Sequence, residues 1–183
     1  MRPLLALVPG EPAGIGPELV VHAAQRDWDA GLVVFGDADS LLRAAAALSL
    51  PLALHRSGEA PGAPRSLEIV DIPHPVAAAF GRPEPGNAAS VVAALTSAAR
   101  ACLEGHLHGL VTGPVHKAVI NEGGIPYTGT TGLLAAHAGT EVVMMLANPA
   151  MRVALQTVHL PLREVADRIT PGALERTLRI VDA

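Results

Sequence analysis

The chain has 183 residues, of which 50% are hydrophobic, and a formal net charge of -4 from 13 basic and 17 acidic side chains. This composition predicts a soluble globular protein with apolar material for one domain or two small ones. Without a Lys/Arg run, nucleic-acid and membrane-surface partners are not expected, and no apolar run is long enough to cross a bilayer. The single cysteine, Cys102, excludes an internal disulfide, so the cytoplasm is the expected compartment.

The first part of the chain alternates short apolar runs with helical patterns. Four runs predict strands: Leu4–Val8, Leu32–Phe35, Leu52–His55 and Leu67–Ile72. A helix with Pro17 in its first turn is predicted after the first strand, and another over Ser40–Leu48 with Asp39 or Ser40 as its N-cap. The alternation predicts a mainly parallel sheet with helices on its faces.

The segment GEPAGIGPE, between the first strand and the first helix, allows two interpretations. Free backbone amides at the start of a helix can bind a phosphate. The same glycines also suit a tight turn that lets the helix pack closely on the strand. The spacing matches neither the dinucleotide-binding motif nor the P-loop, which slightly favours the turn.

A long helix is predicted over Ala88–Glu104, with Asn87 as its N-cap. Cys102 lies on the apolar stripe of this helix and is interpreted as a small core residue rather than a nucleophile. His106 and His108 follow the helix and can be a metal-binding pair or imidazoles near the negative end of the helix. The second interpretation is favoured, because a cationic histidine is stabilised at that end.

The segment Gly109–Thr131 concentrates polar side chains after a predicted strand at Leu110 and Val111. Loops that follow strand ends are the usual ligand-binding positions in α/β sheets. A short helix is predicted to begin at His116 and Lys117. Lys117 offers a cation to a phosphate or carboxylate, although an exposed lysine is usually only solvated surface. The loop beyond it carries hydroxyls that can bind a small polar ligand or only shape a turn: Thr128, Thr130 and Thr131.

The last part of the chain is predicted to contain two helices and two strands. The helices are Gly132–Gly139 and one that opens with Thr170 as its cap; the strands are Val142–Leu146 and Val153–Val158, separated by a turn at Asn148 and Pro149. His159 directly follows the second strand. Imidazole is a common ligand of divalent transition metals, although a lone histidine is more often structural. Two strand ends on one sheet edge would let His159 and the threonines meet one ligand.

Five motifs in chain order, GEPAGIGPE, TGPVHKAVIN, GIPYTGTT, VVMMLA and HLPLREVADRITP, closely resemble the 4-hydroxythreonine-4-phosphate dehydrogenase family of pyridoxal phosphate biosynthesis. The resemblance extends from Val8 to the end of the chain. It implies a three-layer α/β/α fold like that of isocitrate and isopropylmalate dehydrogenases, here C-terminally truncated, in a homodimer with its active site at the subunit interface. Residues 1–125 are then expected to form a first lobe, and 126–183 the start of a second.

The resemblance also implies a reaction, namely the oxidation of 4-phosphooxy-L-threonine with NAD or NADP, followed by loss of carbon dioxide. A divalent metal (Zn, Mg or Co) on three histidines holds the substrate in that family. His159 matches the first of these histidines, whereas the other two, and most of the cofactor site, belong to a C-terminal part that this chain lacks. Thr131 matches the threonine of a substrate-binding His-Thr pair. Thr130 stands in place of its histidine, and Gly132 in place of a glutamate, so recognition of an anionic substrate is expected to weaken.

Two functions remain open from the sequence. In the first, the chain is the N-terminal part of an active dehydrogenase and gains activity when the missing segment is supplied. In the second, it is an inactive truncated homologue that binds a small phosphorylated ligand or a partner subunit. An incomplete parallel sheet would also expose apolar faces and a strand edge, which predicts self-association.

Overall fold

The computed structural model describes residues 2–56 and 65–182. The sequence predicts a polar, Pro/Gly-rich loop, SGEAPGAPRS, between the third and fourth strands, and most of it lies outside the described residues. The chain divides into two compact units, Met1–Ala138 and Gly139–Ala183. Within the described ranges, no helix has the length and apolarity that a membrane span requires.

The first unit is built on a five-stranded parallel sheet with the strand order β3-β4-β2-β1-β5. Its strands are β1 (Leu4–Val8), β2 (Gly31–Gly36), β3 (Ala53–His55), β4 (Ser66–Asp71) and β5 (Gly109–Thr112). Each lies within two residues of a predicted strand. The prediction of a mainly parallel sheet is therefore confirmed for this unit.

Helices cover both faces of this sheet. They are α1 (Gly16–Ala24), α2 (Ala38–Leu48), α3 (Ala88–Leu103), α4 (Lys117–Glu122) and α5 (Thr130–Ala138), with a 3-10 turn at Pro85–Asn87 before α3. Successive strand residues point to opposite faces: Val8 and Phe35 belong to the buried cluster of α3, whereas Leu7 and Val34 belong to that of α1 and α2. The three-layer α/β/α prediction is thereby confirmed.

One predicted helix cap is wrong, and a second occupies the N-cap position without a capping bond. The N-cap of α2 is Asp37, whose Oδ1 accepts from the Ser40 amide at 2.6 Å, rather than Asp39 or Ser40. The sequence DADS offers three capping side chains, and apolar periodicity does not choose among them. Asn87 precedes α3 as predicted, but its side chain makes no capping bond. It is buried and instead bonds both backbone groups of Val76, at 3.0 and 2.9 Å.

The second unit contains an antiparallel hairpin and two helices. They are β6 (Met145–Ala147), β7 (Arg152–Ala154), α6 (Leu162–Arg168) and α7 (Pro171–Asp182). The turn at Asn148 is confirmed, because its side chain accepts from the amides of Ala150 and Met151, both at 2.8 Å. Thr170 caps α7 as predicted, through a 3.2 Å bond from the Ala173 amide.

Both strand predictions in the second unit have wrong bounds. The strand predicted over Val142–Leu146 begins only at Met145, and the one predicted over Val153–Val158 ends at Ala154. The stretch LQTV, which follows β7, has partly strand-like residue types. It is not a strand because β6, the partner of β7 in the hairpin, is only three residues long.

Candidate functional site

The site begins where the connectivity of the parallel sheet changes direction. From β1 the chain passes through α1 on one face to β2, whereas β5 on the other side of β1 is reached through α3 on the opposite face. The loops after β1 and β5 are therefore neighbours at the carboxyl edge, the usual ligand-binding position of open α/β sheets.

The loop after β1 packs directly on the loop after β5. The Glu11 amide donates to the Pro114 carbonyl at 2.9 Å. Gly10 has φ +85°, and a Cβ there would lie 2.3 Å from the Pro114 oxygen. In the same loop, a Cβ on Gly16 would lie 1.7 Å from the Pro9 oxygen. These glycines of GEPAGIGPE thus serve close backbone packing, as the turn interpretation expected.

His116 opens α4 as its N-cap rather than as its first helical residue. Its Nδ1 accepts from the Val119 amide at 3.3 Å, which requires that this nitrogen carry no proton. In this arrangement the ring is neutral and its proton lies on Nε2. Lys117 is therefore the first residue of the helix.

The loop from α4 to α5 is held by Asn121. Its amide group donates to the carbonyls of Lys117 at 2.8 Å and Tyr127 at 2.9 Å, and its Oδ1 accepts from the Tyr127 amide at 3.1 Å. These bonds fix the position of Tyr127, whose ring is buried in the α3 side of the core.

Tyr127 in turn anchors the first residue of α5. Its hydroxyl lies 2.7 Å from the Oγ1 of Thr130. Burial raises the pKa of the Tyr127 hydroxyl, and the bond with Thr130 offsets part of that rise. Thr131 is exposed, and its hydroxyl bonds to no other described residue. One hydroxyl of the predicted substrate-binding pair is thus engaged in the fold, and the other is available to a ligand.

The fold brings Lys117 next to this pair, although Lys117 lies 12 positions before Gly129 in the chain. A Cβ on Gly129 would lie 3.4 Å from the Lys117 Nζ. Gly129 has φ +153°, a conformation that favours glycine. The Lys117 side chain therefore lies against the backbone immediately before Thr130. The fold thus brings together Lys117 and the threonines, which the sequence suggested separately as ligand-binding groups.

The helix that carries the threonines begins earlier than predicted. α5 starts at Thr130, not at Gly132, so both threonines belong to its first turn. A Cβ on Gly132 would lie 3.1 Å from the Thr128 Oγ1. A larger side chain at this position would require Thr128 to shift.

His159 lies in the second unit, in a bend five residues after the end of β7. The prediction that it ends a strand is therefore wrong. The two predicted strand ends also do not share a sheet edge, because β5 and β7 belong to different sheets. The His159 ring is exposed and makes no hydrogen bond with the part of the chain that the structure describes. Its assignment as a metal ligand stays a prediction.

The described side chains do not form a complete metal centre by themselves. Among residues 2–56 and 65–182, no group of three or more His, Cys, Asp or Glu side chains is placed to hold a metal ion. A tetrahedral or octahedral centre needs several ligands. The exposed imidazole of His159 is suited to be one of them.

A second polar cluster, which sequence reasoning missed, follows β2 and β4. Asp37 accepts from the His74 amide at 3.1 Å, and the His74 Nδ1 lies 2.7 Å from the Ser90 Oγ. Ser90 donates its hydroxyl proton to the Asn87 carbonyl at 2.9 Å. The His74 Nδ1 must then donate to Ser90, which leaves its Nε2 as the acceptor. No local spacing predicts this cluster, since its members come from separate segments.

The surroundings of His74 favour its neutral form, chiefly through burial. Burial lowers the pKa of His74, Asp37 opposes that effect, and Arg43 adds to it. Burial by itself raises the pKa of Asp37, but hydrogen bonds from Ser40 and His74 bring it below its ordinary value. The three side chains line an open cleft of about 420 Å³ between α2 and the segment after β4. The cluster ties that segment to both α2 and α3.

The fold and the edge site define the class of protein: an α/β protein with an isocitrate/isopropylmalate dehydrogenase-like fold. The family described as pyridoxal phosphate biosynthetic protein PdxA matches residues 28–183, and the chain belongs to this family.

Two curated relatives carry the same enzyme name. The chain is 59% identical over 184 residues to a 4-hydroxythreonine-4-phosphate dehydrogenase of Stenotrophomonas maltophilia, and 60% identical to one of Xanthomonas oryzae pv. oryzae. The alignments cover 100% of this chain but only 56% and 57% of the relatives. The chain thus spans about half the length of these relatives.

Solved structures of this name superpose closely on the chain. A 4-hydroxythreonine-4-phosphate dehydrogenase from Burkholderia phymatum superposes with a TM-score of 0.88 at 26% identity, covering 98% of this chain and 57% of that one. The enzyme of that name from Klebsiella pneumoniae also has a TM-score of 0.88, at 27% identity, covering 100% and 58%. A terephthalate 1,2-cis-dihydrodioldehydrogenase from Burkholderia xenovorans scores 0.68 at 28% identity, covering 97% and 55%.

Proposed function

We propose that this chain forms the N-terminal portion of a dehydrogenase that oxidises 4-phosphooxy-L-threonine with NAD or NADP, with loss of carbon dioxide, in pyridoxal phosphate biosynthesis. The observation that carries the proposal is an identity of about 60% along the whole chain to relatives named 4-hydroxythreonine-4-phosphate dehydrogenase. The terephthalate dihydrodiol dehydrogenase has a TM-score of 0.68 against 0.88, and its identity of 28% is far below the 59% of the Stenotrophomonas maltophilia relative, so its substrate is not favoured.

In this proposal, Thr130 and Thr131 contact the substrate. Thr130 is already bonded to Tyr127, so its hydroxyl is oriented before a ligand arrives. Such a preformed position lowers the entropy that binding costs. The exposed Thr131 hydroxyl can both donate and accept a hydrogen bond.

His159 is proposed as one ligand of a divalent metal (Zn, Mg or Co), and the other ligands come from the part of the relatives that this chain does not span. Such a metal would supply polarisation of a substrate oxygen, and a nicotinamide would supply the hydride acceptor. The exposed and unbonded ring of His159 supports this role among the described residues, but a single ligand does not make the centre. Two copies are proposed to form the active homodimer.

A chimera tests the proposal. This chain replaces the corresponding first part of the Stenotrophomonas maltophilia relative, and NADH or NADPH formation is followed by absorbance with 4-phosphooxy-L-threonine and a divalent metal. We expect substrate-dependent turnover, which His159→Ala abolishes. His106→Ala, at another exposed histidine, is the matched control and retains turnover.

A folded chimera without turnover, beside an active parent enzyme, overturns the proposal. If calorimetry then shows that the phosphorylated substrate still binds, the chain is the non-catalytic ligand-binding homologue instead.

A further inference from the structure

The basic residues of this chain are almost entirely arginine. Of 13 Lys and Arg residues, Lys117 is the only lysine. A guanidinium and an ammonium are not equivalent: the first is a planar fork, and the second is a compact point charge with three donors on a flexible stem. The other 12 of these residues are arginines, so Lys117 is the one that carries an ammonium.

The position of Lys117 supports a binding role. Its Nζ lies against Gly129, directly before the two threonines of the predicted substrate pair. No ion pair or hydrogen bond joins the ammonium to another residue within 2–56 and 65–182. Lys117 is exposed, so a ligand can reach the charge.

The neighbouring groups do not supply this charge. Position 130 is a threonine, whose hydroxyl cannot be a cation and already pairs with Tyr127. His116 accepts a hydrogen bond at Nδ1, so it would lose its capping bond if it became a cation. The positive charge at this loop is therefore that of Lys117, which comes from α4 rather than from the loop itself.

We propose that Lys117 is a substrate-binding residue whose ammonium binds the phosphate of the substrate beside Thr131. This inference rests on the proposed function and names the group that recognises the phosphate. A phosphate monoester carries close to two negative charges at neutral pH. Lysine is a common phosphate ligand as a point charge, and a hydroxyl adds a hydrogen bond to a phosphate oxygen.

The single lysine makes a direct measurement possible in the unmodified sequence. Reductive methylation with ¹³C-formaldehyde labels only the Lys117 amine and the chain's terminal amine. The Lys117→Arg variant retains only the terminal amine and therefore assigns the two NMR signals. The labelled chain is titrated with 4-phosphooxy-L-threonine, inorganic phosphate and L-threonine. We expect the first two to shift the Lys117 signal saturably, and L-threonine to leave it unchanged.

Variants of the chimera give a second test. Lys117→Met is expected to raise the KM for 4-phosphooxy-L-threonine by about tenfold or more and to remove most of the salt dependence of KM, whereas Lys117→Arg keeps part of the affinity. Arg100→Met, which removes an exposed charge at the end of α3, is the matched control and leaves KM unchanged.

The two proposals can fail separately. Turnover with an unchanged KM in Lys117→Met overturns the role of Lys117 and leaves the proposed function intact. If no variant turns over, the proposed function fails, and the NMR titration decides the role of Lys117 by itself. A Lys117 signal that is unmoved by inorganic phosphate and by 4-phosphooxy-L-threonine, at concentrations up to those that saturate the parent enzyme, overturns it.

Discussion

Replacing Asn121 with alanine tests how the loop at the candidate site is held. The change removes three hydrogen bonds, one to the carbonyl of Lys117 and two to the backbone of Tyr127. A typical intramolecular hydrogen bond contributes about 0.5–1.5 kcal/mol net. Asn121 is exposed, so water replaces part of what is lost, and the lower value applies. We expect a local destabilisation of about 1.5 kcal/mol, at roughly 0.5 kcal/mol for each bond.

Amide hydrogen exchange measures this loss where it occurs. The Tyr127 amide donates to Asn121 Oδ1 at 3.1 Å, so its exchange rate reports the opening of the loop. Since 1.4 kcal/mol corresponds to a factor of ten, Asn121→Ala should accelerate its exchange by roughly tenfold. Asn148→Ala removes two comparable bonds in the turn of the second unit and should leave Tyr127 unaffected. An exchange rate within twofold of the unmodified chain would refute the reasoning.

Three further outcomes are expected. Burial keeps the pKa of His74 lowered, so the stability contributed by its neutral form is complete above about pH 6.5 and decreases as the pH falls through the folded-state pKa. Urea unfolding at pH 7.5 and 5.5 should show this loss of stability, and His74→Gln should reduce it. Tyr127→Phe and Thr130→Val should each lower the free energy of unfolding by about 1 kcal/mol, and the double variant should lower it by less than the sum. Additive effects in the double variant would contradict the 2.7 Å bond between the two side chains. The second unit exposes large apolar side chains, among them Leu162 at 88% relative exposure, so light scattering should give at least twice the mass of one chain; a monodisperse monomer would contradict this self-association.

Much of the first unit followed from local sequence patterns. Continuous apolar runs such as Leu4–Val8 indicate strands that are covered on both faces, and helices between them leave a parallel sheet as the natural arrangement. The second unit was harder. Its strands are three residues long, so alternation of apolar side chains could not define their bounds.

Caps show a related limit. The order of helices was predictable, but Asp37 rather than Asp39 accepts from Ser40, and Asn87 bonds to Val76 rather than to its own helix. A polar side chain near the start of a helix can bond to several backbone groups at similar distances along the chain. The choice depends on which backbone amides the surrounding packing leaves without a partner.

By itself, the sequence determined the α/β architecture, the family resemblance, the single lysine and the candidate residues Thr130, Thr131 and His159. Tertiary structure alone decided that Lys117 lies against Gly129 and that Tyr127 holds Thr130. Periodicity and motifs record what each residue does along the chain. Which side chains meet across a loop depends on the path of the backbone, and that path is set by Asn121, by the burial of Tyr127 and by a glycine at φ +153°.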